Sequence, residues 1–124
     1  LEDQQAKIEQ NRVLLNSIKD LAVRSRNCLI AGSLGELGPL LHEGWELKKR
    51  LADGITDRNI DDWYERARAL GASGGKVLGA GGRGFLLLYC SPKHQRRVVE
   101  GLPELARTPF TFDTKGTCII YSGD

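Results

Sequence analysis

Apolar residues recur at three- and four-residue steps through the first part of the chain, at Ile8, Leu14, Leu15, Ile18, Leu21 and Ala22. That stripe predicts an amphipathic helix from about Asp3 to Arg26. Ala31-Gly32-Ser33 breaks the period. Ser33 followed three residues later by Glu36 matches a capping box, so a second helix is expected there, with Leu34, Leu37, Leu41, Trp45 and Leu51 along one face. Gly54 in Asp53-Gly54 suits the left-handed position just past a helix end. Thr56 or Asp57 then starts a short third helix through Ile60, Trp63, Tyr64 and Ala67, which stops at Gly71.

Beyond Gly71 the period changes. Gly75-Lys76-Val77-Leu78 is a short strand, and the continuous apolar run Phe85 to Cys90 is a buried one. Ser91-Pro92 places a cap and a first-turn proline before a helix from Lys93 to about Gly101. Thr108 to Phe112 and Thr117 to Ser122 alternate as strands, joined by a turn at Asp113-Thr114-Lys115-Gly116. Residues 1 to about 70 are therefore read as helical and 71–124 as sheet-forming. Together they predict an α+β domain, a four-stranded antiparallel sheet backed by helices.

Composition narrows the classes of function. The 124 residues suit one domain, with a core that needs no staples. Lys plus Arg is 18 and Asp plus Glu is 16, a net charge of +2. Nucleic-acid and membrane-surface proteins normally carry a strong basic excess, so neither partner is expected. Cys28, Cys90 and Cys118 are far apart, no CxxC pair occurs, and there are two histidines, so no metal cage is expected. No apolar run approaches the ~20 residues that span a bilayer. The acidic Leu-Glu-Asp-Gln-Gln opening is unlike a signal peptide, which points to a cytoplasmic location with reduced cysteines. A start without Met, directly in a helical pattern, reads as a piece of a longer protein; a short protein trimmed at its N-terminus is the alternative.

Glycines are densest from Gly71 to Gly84, and a dense run needs a physical reason because each glycine costs backbone entropy on ordering. Either backbone amides approach a phosphate or another loop closely, or a tight hairpin needs positive φ angles. A phosphate loop of the Walker type fails at both ends, since Leu70 occupies the first glycine position and Val77 follows Lys76. Gly79, Gly81 and Gly84 match a dinucleotide fingerprint, but they open the strand Phe85 to Cys90 instead of a helix. The companion motifs of protein kinases are absent. Arg83-Gly84-Phe85 lacks the aromatics of an RNA-stacking strand, with Leu87 and Cys90 in their places.

The string Gly74-Gly75-Lys76-Val77-Leu78-Gly79-Ala80-Gly81-Gly82-Arg83-Gly84-Phe85 resembles the third conserved motif of the GHMP kinase superfamily. Leu41 to Arg50, with Ile60-Asp61 and Tyr64, resembles the helical segment upstream in the heptose 7-phosphate kinases. Phe110, Phe112, Gly116 and Ile119-Ile120 resemble their closing hairpin. The likeness covers roughly residues 28 to 122, and the segment from Trp45 to Lys49 favours the heptose branch. One departure is Arg83, where the motif usually has glycine.

The resemblance implies a ferredoxin-like C-terminal domain of an ATP-dependent sugar-phosphate kinase that phosphorylates a heptose phosphate or related sugar. It also implies that an N-terminal domain of the same polypeptide holds ATP with Mg²⁺, and that the loop of Gly79, Ala80, Gly81, Gly82, Arg83 and Gly84 braces that domain's phosphate loop from across a cleft. The catalytic residues would lie in that other domain, and this chain alone would be inactive. Lys76, Lys48, Lys49 and His42 are the candidates for contact with the substrate's phosphate. The competing readings are a solvated basic edge at a helix C-terminus for the two adjacent lysines, an exposed strand-end lysine, and a structural histidine. Arg83 either meets a phosphate or points to solvent. Asp61 is read as supporting its helix cap, and Lys93, His94, Arg96 and Arg97 as a solvated face. Apolar helix faces left uncovered predict a homodimer. A different class of function, a stand-alone ferredoxin-like module that binds a small ligand without catalysis, predicts saturable binding with no dependence on ATP.

Overall fold

The computed structural model describes residues 1–79 and 84–116. The first helix, α1, runs Glu2–Ala31 and ends at Gly32, whose φ of 72° is left-handed. Its end is closed by Gly32 N–H donating to Leu29 O at 3.2 Å and Ser33 N–H to Cys28 O at 3.0 Å. The helix continues a turn past Arg26 because Cys28 is buried there, packed with Leu21 of the same helix and Leu40 of the next.

The expected capping box is not made. Ser33 has no side-chain cap bond, and a short 3₁₀ turn, Leu34–Glu36, leads into α2, Leu37–Leu51. Both donors the box would use are taken by the backbone: Glu36 N–H donates to Ser33 O at 3.0 Å, closing the 3₁₀ turn, and Ser33 N–H to Cys28 O. Basic residues Lys48, Lys49 and Arg50 fill the last turn of α2, where cations offset the helix dipole.

The third helix, α3, is Arg58–Ala69, and its start follows the sequence closely. The Asp57 carboxylate accepts from Asn59 N–H at 2.8 Å and Ile60 N–H at 2.9 Å. Thr56 Oγ1 donates to Asp61 Oδ1 at 2.9 Å, so Asp61 does support the cap of its own helix. Gly71, at φ 120°, turns the chain into β1, Ala72–Leu78. That strand pairs antiparallel with β2, Phe85–Cys90, from Ala72 opposite Cys90 to Leu78 opposite Phe85, with a bulge between Ala72 and Gly74. Helix α4, Pro92–Glu100, follows with its proline in the first turn.

Among the described residues the sheet has two strands, not the four expected. Thr108 to Phe112 is irregular and Phe110 and Phe112 are exposed. Pro109 lacks the N–H a ladder needs, and the intended partner strand, 117–122, lies outside the described residues, as do Ala80, Gly81, Gly82 and Arg83.

Three buried clusters join the elements. Leu21, Cys28 and Leu40 seal α1 to α2. Trp45, Ile60 and Tyr64 join α2 to α3 and take in Val77, Leu86 and Leu88 from the hairpin, with Trp45 only 1% exposed. Ala67, Ala72, Val98 and Leu102 tie α3, β1 and α4. Helix α2 thus touches α1 on one side and the hairpin on another. Its start lies close on β1: a Cβ on Gly74 would fall 1.8 Å from Gly38 O, a backbone atom, and one on Gly38 would fall 1.9 Å from the Ser73 side-chain oxygen. No side chain fits between Gly38 and Gly74.

Candidate functional site

Two features stand out, and each takes in residues that the sequence had marked. The first is the end of the hairpin. Leu78 and Phe85 form its last pair. Gly79 at φ 109° and Gly84 at φ 124° lie at the two ends of the loop that joins the strands. Both are backbone conformations that L side chains rarely adopt. A Cβ on Gly84 would also fall 2.0 Å from Leu78 O. These two glycines are therefore demanded by the turn itself. Leu78 and Phe85 are exposed just behind it, so the hairpin presents an apolar end. Lys76, half-buried, lies two residues before Leu78 and opposite Leu87.

The second feature is a polar cleft of about 290 Å³ between α2 and α3. His42 stacks on Tyr64 with ring centroids 5.8 Å apart and an interplanar angle of 18°. His42 Nδ1 lies 2.9 Å from Tyr64 Oη, and the Arg68 guanidinium meets His42 Nε2. A guanidinium only donates, so Nε2 accepts; the imidazole is then neutral with its proton on Nδ1, donating to Tyr64 Oη. Burial, followed by the positive charge of Arg68, holds the His42 pKa below its usual value and favours this form. Burial pushes the Tyr64 phenol up, opposed by Arg68 and by a backbone hydrogen bond from Gly75. A polar chain therefore runs from α3 through α2 to the middle of β1, one residue before Lys76.

Lys49 lines the same cleft. Its ammonium lies 2.7 Å from Glu46 and 4.0 Å from Asp61. Lys48 is exposed, and neither it nor Lys76 lines the cleft. The structure thus brings His42 and Lys49 together and leaves Lys48 and Lys76 elsewhere. In the cleft the cations Lys49 and Arg68 face the carboxylates Glu46, Asp61 and Glu65. Arg68 was not foreseen, although it stands one helical turn after Tyr64 on the same face, a spacing that marks neighbours on any helix.

A helix-backed hairpin closed by obligatory glycines, in this element order, defines a class of domain. Residues 25–107 match the family described as GHMP kinases C terminal, and the chain belongs to that family. Among individual proteins, it is 26% identical over 94 residues to the D-glycero-alpha-D-manno-heptose 7-phosphate kinase of Campylobacter jejuni subsp. jejuni serotype O:2, a match covering 76% of this chain and 28% of that protein. It is 31% identical over 84 residues to the bifunctional fucokinase/GDP-fucose pyrophosphorylase of Arabidopsis thaliana, covering 65% of this chain and 8% of that one. The crystal structure of L. major mevalonate kinase in complex with R-mevalonate superposes with a TM-score of 0.71 over 83% of this chain and 31% of that chain, at 24% identity, which is a likeness of fold. The chain spans less than a third of the length of each of these relatives.

Proposed function

We propose that this chain serves as the C-terminal domain of an ATP-dependent sugar kinase, transferring the γ-phosphoryl of ATP to a heptose phosphate or a related sugar. The observation that carries the reading is the pair Gly79 and Gly84, both at positive φ at the ends of the strand-to-strand loop, in a chain of this family. Heptose as the substrate class rests on the matched relative and on the segment from Trp45 to Lys49.

Phosphoryl transfer depends on positioning and on stabilising charge, with little covalent chemistry for the protein to perform. The domain's part in that division is to hold the loop 79–84 so that its amides brace a phosphate-gripping loop supplied by an N-terminal domain. Lys76 supplies the positive charge beside that loop. Lys49 and His42 already have partners within the domain, so they maintain the wall between α2 and α3 and any contact of theirs with substrate phosphate is secondary. ATP supplies the transferred phosphoryl group. Among the described residues no group of three or more His, Cys, Asp or Glu side chains could hold a metal ion, and the Mg²⁺ that accompanies ATP would be held with it by the N-terminal domain.

The test is to assay the parent reading frame for ATP-dependent phosphorylation of heptose 7-phosphate, fucose and mevalonate, beside the 124-residue chain alone. Turnover of the heptose phosphate by the longer protein, and none by this chain, is expected. Titration calorimetry of the chain alone with the same ligands distinguishes the other class of function: saturable binding independent of ATP identifies a stand-alone module and overturns the kinase reading.

A further inference from the structure

We draw no further inference here: the strongest candidate, the exposed apolar row of Ile8, Leu15, Ala22 and Leu29 along α1, has nothing in the structure to show what covers it.

Discussion

His42 illustrates how a residue that could act as a base is committed elsewhere. Both its ring nitrogens are engaged, by Tyr64 and Arg68, and its burial favours the neutral form. A histidine whose pKa falls on folding binds its proton more tightly in the unfolded chain. Its contribution to stability is therefore complete above its ordinary pKa of about 6.5 and is lost as pH falls below that value. Urea midpoints should drop between pH 7.5 and pH 5 in the native protein, and His42→Gln should show a shallower drop; equal slopes would show that His42 is not the group responsible. Gly74 makes a second prediction at this scale. Gly74→Ala forces a methyl group into Gly38 O, a backbone atom that cannot turn aside. The expected loss is at least ~2 kcal/mol by urea denaturation, at the upper end of what overpacked sites cost. On the proposed kinase reading, Gly84→Ala in the longer protein should lower kcat/KM for ATP at least tenfold, about 1.4 kcal/mol of transition-state stabilisation, with smaller effects on the KM of the proposed sugar substrate.

Among the elements, the helices were the most legible because their apolar steps and their glycine stops agree: Gly32 and Gly71 end or follow α1 and α3 where the pattern said they would. Asp57 was legible for the same reason, being a short acceptor placed just before an apolar period. Asp57→Ala leaves the Asn59 and Ile60 amides without their acceptor and should lower stability by about 1 kcal/mol, read from a thermal or urea transition. The start of β1 was not legible. Ala72, Ser73 and Gly74 have poor strand propensity, and they are extended because α2 crosses so closely that little but glycine can stand there. Ser33 and Glu36 spelled a capping box that the tighter 3₁₀ turn replaced. Thr108 to Phe112 alternated like a strand, yet alternation records only a preference for two faces and not whether a neighbour is there to pair. The cleft lay beyond sequence reading for a related reason: Arg68 and His42 stand 26 residues apart on different helices, and only the packing of α2 on α3 brings them together.

In the whole molecule α2 is the shared wall. It carries Leu40 into the cluster with α1 and Trp45 into the cluster with α3 and the hairpin. Trp45→Ala should therefore destabilise both halves together, at a cost of about 3–5 kcal/mol, with one unfolding transition by circular dichroism and by tyrosine fluorescence. Two separate transitions would mean that the α1–α2 pair and the hairpin unit fold independently. No helix among the described residues is long and apolar enough to cross a membrane.

The bare crossing of α2 over β1 has a mechanical side. Where two elements are separated by leucines or methionines, a small shift of one is absorbed as side chains change rotamer. Here carbonyl and Cα are in direct contact at Gly38 and Gly74. A tilt of the helix is passed straight into the strand, and the strand leads within a few residues to Lys76 and Gly79.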